Sequence, residues 1–343
     1  MVTVAVDAGG ADLGPAEVAA GAARAAGGGI RVLLFGPAQE IGEVGEGVQV
    51  IDAPVSIAKA KDPAYAVRST PEASIVQAAR AVAEGQAEAL VSGGSTGTAL
   101  AAGLFNVRRD RGIYRPALAL PLPMLAGPPV LLLDVGANVS CRPEHLVQFA
   151  HMGAAFSHAV LGAERPRVAL LSNGEEAVKG TPELIEVHER LHGAGGTGLN
   201  FIGNIEGTHI TDGVADVVVM DGFTGNVTLK VIEGVSARTL RGVHDASMSS
   251  PRSRLGHWLM EPSMRRLRAG IDPEEAGGAY LLGLRRLGVV AHGRFTRNGF
   301  QRAIEVAARG VEEHVIGATR EALATAGALR SPAQGREEEV DAR

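Results

Sequence analysis

The stretch VVVMDGFTGNVTLKVIEGV, Val217 to Val235, contains the pattern on which the fold prediction rests. Its first residues are apolar and mostly β-branched without alternation, which predicts a strand buried on both faces. Small and polar residues follow from Asp221 to Asn226, and a helical pattern comes next. A buried strand, a glycine-containing loop and a helix form the repeating unit of parallel α/β sheets.

The same order of strand, loop and helix recurs along most of the chain. Pro15 and Pro143 stand where helices have their first turn, a position that tolerates proline. We therefore predict an α/β fold, a Rossmann-like three-layer α/β/α arrangement with a mostly parallel sheet. The predicted strands are Val2–Val6, Arg31–Phe35, Ala89–Ser92, Val130–Leu133, Val168–Leu171, Asn200–Ile202 and Asp216–Met220.

Five of these strands lead into small, polar, glycine-rich loops that open a helix. The loop sequences are DAGGADLGP, SGGSTGT, DVGANVS, SNGEEAVKG and DGFTGN. In an open parallel sheet such loops lie at the carboxyl ends of the strands, so we expect all five to face one crevice. The helix N termini would direct unpaired N–H groups into that crevice, which predicts an anion site.

Length and composition allow one large domain or two intertwined ones. The chain has 343 residues, 45% of them hydrophobic, which is enough for a sizeable core. We predict a single domain over residues 1–328, with a protruding helical segment at about 236–270. The polar residues 329–343 predict a disordered tail. The net charge of −5 argues against a nucleic-acid partner.

The single cysteine, Cys141, fits a reducing compartment, and we expect a cytoplasmic protein. The N terminus shows no signal-peptide pattern, and no apolar run is long enough for a spanning helix. Cys141 itself resembles a small buried side chain more than a nucleophile, because no histidine accompanies it in sequence.

Two motif matches stand in unsuitable places. Gly193–Gly198 matches GxGxxG, but it follows a helical pattern and precedes a strand, the reverse of a dinucleotide site. His188 and His192 match HExxH, yet Gly193 is expected to end that helix at once. We therefore predict no metal and no cofactor. Because no correctly placed dinucleotide motif exists, an NAD-linked dehydrogenase is a weak alternative.

The segment Ser250–Gly270 mixes apolar residues with arginines and holds the only tryptophan, Trp258. Such a segment suits an anionic membrane surface, an acidic partner protein or a helical hairpin within a dimer. The pattern leaves these three interpretations open.

Several longer motifs resemble the PlsX family of bacterial phosphate acyltransferases. They run in order over about residues 2–310 and include VDAGGADLGP (Val6–Pro15), VSGGSTG (Val91–Gly97), LLLDVGANVSCRPEHLVQFAHMG (Leu131–Gly153), RVALLSNGEEAVKG (Arg167–Gly180), NFIGNIEG (Asn200–Gly207) and DVVVMDGFTGNVTLKVIEG (Asp216–Gly234). The resemblance implies a fold related to isocitrate dehydrogenases and phosphotransacetylases. It also implies a homodimer that associates peripherally with the inner face of the membrane.

The implied reaction moves a fatty acyl group from acyl carrier protein to inorganic phosphate, giving acyl-phosphate for phospholipid synthesis. Phosphate is itself a nucleophile, so the protein must mainly align it and stabilise an oxyanion. On this basis we predict catalytic roles for Asn138, Asn226, Lys230 and His292. Asp7, Asp134 and Asp221 would orient loops. The full set of predicted substrate- or phosphate-binding residues is Asp7, Gly10, Asp12, Ser92, Gly93, Gly94, Ser95, Thr96, Gly97, Asp134, Asn173, Lys179, Asp221, Gly222, Thr224 and Gly225.

Some loop positions depart from the family pattern, and they leave the acceptor open. Ala11, Ser95 and Ser140 replace the usual residues of three loops, and Arg294-Phe295 stands where the family has two serines. One alternative is a related enzyme that transfers the acyl group to a different small acceptor. The other is a non-catalytic protein that binds acyl carrier protein or membrane.

Overall fold

The computed structural model describes residues 1–193, 198–270 and 272–330. Within these ranges the strands form one eleven-stranded sheet. All seven predicted strands are present, with bounds that differ from the prediction by a few residues at most. The strands are β1 (Thr3–Asp7), β2 (Arg31–Gly36), β3 (Val48–Asp52), β4 (Ala89–Ser92), β5 (Ala117–Leu122), β6 (Val130–Leu133), β7 (Arg167–Leu171), β8 (Asn200–Ile205), β9 (Val217–Val219), β10 (Ala279–Leu282) and β11 (Leu287–Val290).

Helices lie on both faces of the sheet, and Pro15 and Pro143 each open one, as predicted. A π-helical turn at Gly103–Val107 and a 3-10 turn at Gly207–Ile210 complete the regular structure of the described ranges. The α-helices are α1 (Pro15–Gly27), α2 (Ala38–Ile41), α3 (Pro63–Ser69), α4 (Ser74–Ala83), α5 (Thr96–Ala102), α6 (Pro143–Leu161), α7 (Pro182–Gly193), α8 (Gly222–Met248), α9 (Pro251–Ala269), α10 (Pro273–Ala276), α11 (Arg297–Glu312) and α12 (Val315–Thr325).

The sheet consists of two parallel blocks that run in opposite directions. Its order is β3-β2-β1-β4-β11-β10-β5-β6-β9-β7-β8. The pairs β11–β10, β10–β5 and β5–β6 are antiparallel, and the other seven pairs are parallel. Three reversals in succession leave β6, β9, β7 and β8 antiparallel to β1 and β4. The sheet is therefore mostly parallel, as expected, but not uniform in direction.

This topology corrects the expectation that five loops share one edge. The loops after β1 and β4 leave one edge of the sheet, whereas those after β6, β7 and β9 leave the opposite edge. The prediction was wrong because it lacked β5, β10 and β11, the strands that carry the reversals. Two of these strands give weak signals, because β5 contains Pro121 and β11 contains Gly288.

The core lies in two layers, one on each face of the sheet. In β1, Val4 and Val6 face one layer and Ala5 faces the other. In β6, Leu131 and Leu133 alternate with Leu132 in the same way. Residues of α1, α6, α7, α11 and α12 cover the first layer, and residues of α4, α5 and α8 contribute to the second. The three-layer α/β/α arrangement is thereby confirmed, and it explains why the strands lack polar alternation.

Helices α8 and α9 pack on each other and bury few of their own side chains. In α8 the buried residues are Gly222 and Gly225, both in its first turn. None of the helices in the described ranges is both long enough and apolar enough to cross a membrane. The interior of the GxGxxG match, residues 194–197, lies outside the described residues, as do residues 331–343 of the predicted tail.

Candidate active site

The loop after β6 is organised around Asp134, whose side chain has no exposed surface. Its Oδ1 accepts hydrogen bonds from the backbone N–H groups of Leu118, Gly136 and Ala137 at 2.9–3.0 Å. Its Oδ2 accepts from the backbone and side-chain nitrogens of Asn138, each at 2.8 Å. Burial raises the pKa of Asp134, and these donors offset part of that effect. The carboxylate therefore shapes its loop, the orienting role predicted for it.

The side chain of Asn138 also makes its hydrogen bonds within and beside this loop. Its Nδ2 donates to Asp134 and also to the carbonyl of Pro116, at 2.7 Å. Both N–H bonds of the amide are thus used inside the protein, and the side chain is buried. This geometry favours a positioning role for Asn138 over the direct catalytic contact that was predicted.

The loop after β9 packs directly on the loop after β6. Asp221 caps α8, accepting from the backbone N–H and the hydroxyl of Thr224 at 2.9 and 2.8 Å. The N–H of Gly222 donates to the Asn138 carbonyl at 2.7 Å. A β-carbon on Gly225 would lie 1.9 Å from the Asp134 carbonyl oxygen, so only glycine permits this approach. The two loops form one unit, with Asn226 exposed at its surface.

Cys141 lies beside this unit and is partly buried. Burial raises the pKa of its thiol to about 12, and the nearby carboxylates of Asp134 and Asp221 act in the same direction. The thiol therefore stays protonated at neutral pH, which agrees with the prediction that Cys141 is not a nucleophile.

At the opposite edge, the loops after β1 and β4 form a second unit around Asp7. The Asp7 carboxylate is buried and accepts from the hydroxyls of Ser74 and Ser92 at 2.6 and 2.8 Å. Burial raises its pKa, and these donors counteract the rise. Gly10 approaches Gly94 so closely that a β-carbon on Gly10 would lie 2.4 Å from the Gly94 Cα.

The remaining predicted residues of the second unit surround this contact. Gly93 packs on the Phe300 ring. Ser95 caps α5, accepting from the N–H of Thr98 at 3.3 Å, and Thr96 and Gly97 form the first turn of that helix. Asp12 is exposed, and its N–H donates to the Gly293 carbonyl at 2.8 Å, which attaches the loop after β11 to this unit.

Helix α8 links the two edges. Its first turn belongs to the unit around Asp134, yet Lys230 and Glu233 act on the pKa of His292, which follows β11. The pKa of His292 is lowered, first by burial and then by the positive charges of Arg294 and Lys230, while Glu233 and Asp12 raise it. The Lys230 Nζ pairs with Glu233 at 2.8 Å. Asn226 and Lys230 are four residues apart on α8, and Lys230 lies close enough to His292 for its charge to act on the imidazole.

Asn173 and Lys179 lie in the loop after β7, beside β9. Both are exposed, and their hydrogen bonds stay within their own loop: the Lys179 N–H donates to the Glu176 carbonyl at 2.9 Å. Their predicted contact with substrate stays a prediction.

No sequence pattern indicated Ser74, whose hydroxyl donates to the Asp7 carboxylate from 67 positions away. Glu233 was also missed, although its spacing of three from Lys230 on a helix could have indicated an ion pair. The HExxH histidines form a local cluster: His188 contacts Asn204 at 3.1 Å and stacks with His192. No group suited to a metal ion occurs in the described ranges.

Comparison with known proteins gives close relatives over most of the chain. The "Phosphate acyltransferase" of Moorella thermoacetica is 42% identical over 320 residues, which is 91% of this chain and 93% of the relative. The "Phosphate acyltransferase" of a Geobacillus species is 41% identical over 325 residues, or 93% of this chain and 98% of the relative.

Two solved structures share the fold at low sequence identity. A phosphotransacetylase from Streptococcus pyogenes superposes with a TM-score of 0.60 at 18% identity, covering 91% of this chain and 94% of the other. A 4-hydroxythreonine-4-phosphate dehydrogenase from Klebsiella pneumoniae gives 0.53 at 15% identity, covering 90% and 97%. These similarities confirm the predicted fold class and do not bear on substrates.

The relatives confirm that the chain is an enzyme of the acyltransferase class. The model of the fatty acid synthesis protein family matches residues 2–318, nearly the whole described chain. Together with the relatives, that match shows that this chain belongs to the fatty acid synthesis protein family, which is the PlsX family that its motifs resemble.

Proposed function

We propose that the protein transfers a fatty acyl group from the thioester of acyl carrier protein to inorganic phosphate. The acyl-phosphate formed would serve phospholipid synthesis in the cytoplasm. A phosphate oxygen attacks the thioester carbonyl carbon, giving a tetrahedral oxyanion. The C–S bond then breaks, and the thiolate leaves and takes a proton from solvent. Phosphate needs no protein nucleophile, which agrees with the protonated state of Cys141.

The observation that carries this proposal is the apolar surface that begins at the candidate site. Phe223, Val227, Val231 and Val235 are spaced by four residues along α8, so they share one helix face. Each is exposed, and the side chain of Phe223 keeps 63% of its surface in solvent. An exposed apolar track next to polar loops fits a long acyl chain whose reactive end reaches those loops.

The same surface supports two further proposals. Leu255, Trp258 and Leu259 extend the exposed apolar surface onto α9, and Arg252 and Arg254 precede them on the same helix. We propose that the α8–α9 pair contacts a second copy of the chain in a homodimer and touches the inner face of the membrane peripherally. A surface of this kind is the usual mark of an interface with protein or lipid.

One assay tests the reaction. The full-length protein is incubated with a long-chain acyl carrier protein, with and without phosphate, while thiol release and acyl-phosphate are measured. We expect release that depends on phosphate. Release that requires another acceptor would indicate a related enzyme of changed specificity. Binding of the carrier protein without release would refute catalysis and indicate a binding protein.

A further inference from the structure

The imidazole of His292 meets Arg294 at both of its ring nitrogens. The backbone N–H of Arg294 lies 3.3 Å from Nδ1, and the guanidinium Nη2 of the same residue lies 3.3 Å from Nε2. Because a backbone N–H can only donate, Nδ1 must be the acceptor. In a neutral ring the proton then sits on Nε2.

This arrangement turns two donors toward each other. The Nε2–H of His292 faces Nη2 of Arg294, and every guanidinium nitrogen is a donor. Protonation of the ring would not remove the conflict, since Nε2 carries a proton in the imidazolium as well. The contact becomes favourable when an acceptor enters between the two groups. An oxyanion can accept from both and gains charge-assisted hydrogen bonds from the guanidinium.

The surroundings hold this pair in place and leave the arginine available. The Phe295 side chain is 5% exposed and lies below the imidazole, with 6.1 Å between ring centroids. The Gly293 carbonyl is fixed by the Asp12 N–H. Arg294 is exposed, and none of the ion pairs found in the described ranges includes it.

Charged groups of both signs surround the His292–Arg294 pair. Lys230 supplies a second cation beside His292, and its own ion pair is with Glu233. Asp12 and Glu233 are the carboxylates that act on the same imidazole. Both acids lie on elements other than the loop that carries Arg294, and the Arg294 Nη2 lies 3.3 Å from Nε2.

We propose that His292 and Arg294 form a binding site for a phosphoryl oxyanion, with Arg294 as a residue that determines specificity. The inference rests on the proposed function in assigning the ligand to the acyl-transfer crevice. Two sources share the required chemistry. One is the inorganic phosphate that accepts the acyl group. The other is the phosphodiester that attaches the thiol-bearing arm to a carrier protein.

The test compares Arg294→Ser and Arg294→Lys with a matched control, Arg286→Ser, in the full-length protein. Arg286 is also exposed, but it lies in the β10–β11 turn at the other edge of the sheet. Calorimetry measures the Kd for inorganic phosphate. Steady-state kinetics measures KM for phosphate, for acyl carrier protein and for a simple acyl thioester that contains no phosphorus.

If the site holds the acceptor, Arg294→Ser weakens phosphate binding about 10- to 100-fold, the usual effect of losing a hydrogen bond to a charged group. Arg294→Lys keeps the positive charge but lacks the paired N–H donors of the guanidinium, so it gives a smaller loss of phosphate affinity. If the site holds the phosphodiester, KM rises only for the carrier protein and not for the simple thioester. Unchanged values for all three ligands in a folded Arg294→Ser protein would overturn the proposal.

A spectroscopic readout separates binding from a structural role. Bound phosphate favours the imidazolium, so the pKa of His292 followed by NMR should rise when phosphate is added to the wild type. That rise should be absent in Arg294→Ser and retained in Arg286→Ser. Neither calorimetry nor NMR requires turnover, so Arg294-dependent phosphate binding stands even if acyl transfer is not observed. Conversely, transfer that is insensitive to Arg294 refutes this inference alone.

Discussion

Cys141 shows how burial decides the chemistry of a single residue. It follows a site loop directly and is the only cysteine of the chain, features that make it a natural candidate for a nucleophile. Yet burial and two neighbouring carboxylates raise the pKa of its thiol to about 12. The thiolate population at neutral pH is therefore negligible, and reactivity requires the thiolate.

We expect Cys141→Ala to retain acyl-transfer activity within about two-fold, since the thiol carries no chemistry in the proposed reaction. The native protein should also react slowly with N-ethylmaleimide at pH 7 and faster after denaturation. The checks are turnover of the acyl thioester and mass spectrometry of the labelled protein. A tenfold loss of turnover without a change in Tm would assign the thiol a part in catalysis.

At the scale of elements, the first turn of α8 is where tertiary packing is tightest. Gly225 touches the backbone of the loop after β6, and backbone atoms cannot move aside as a flexible side chain would. Gly234 lies on the same helix with nothing within 4 Å of its β-carbon position. We therefore expect substitution by alanine to have opposite effects on stability at these two positions.

We expect Gly225→Ala to destabilise the protein by about 1–3 kcal/mol through overpacking and to reduce turnover, because the two loops must separate. Gly234→Ala should instead stabilise by about 0.5–1 kcal/mol, the difference in helix propensity. Urea unfolding measures both, and thioester turnover is recorded in parallel. Equal effects of the two substitutions would contradict the close packing of the loops.

For the whole molecule, the exposed face of α8 and α9 is the feature on which the proposed associations rest. Trp258 is 71% exposed and is the only tryptophan, so its fluorescence reports on this face alone. A transfer from water to lipid or to a subunit interface shifts its emission to shorter wavelength, because the indole leaves a polar environment.

We expect the Trp258 emission to shift to shorter wavelength when vesicles containing anionic lipid are added, and the shift to weaken at high salt. Leu259→Glu should reduce the shift, whereas Val214→Glu, an exposed apolar position outside α8 and α9, should not. Emission that is already at short wavelength and moves to longer wavelength on dilution would indicate a subunit contact instead. Emission unchanged by vesicles and by dilution would contradict both proposed associations.

The sequence by itself determined the strands and the polar loops that follow them. Local hydrophobic pattern and local turn chemistry encode both, so all seven predicted strands appear, as do the first-turn prolines of α1 and α6. Only the tertiary structure decided which loops meet. The sheet reverses direction through β10 and β5, which pair with each other although they are distant in sequence. Likewise, the fold brings Ser74 to Asp7 from 67 positions away, a contact that no local pattern specifies because it joins two separate elements.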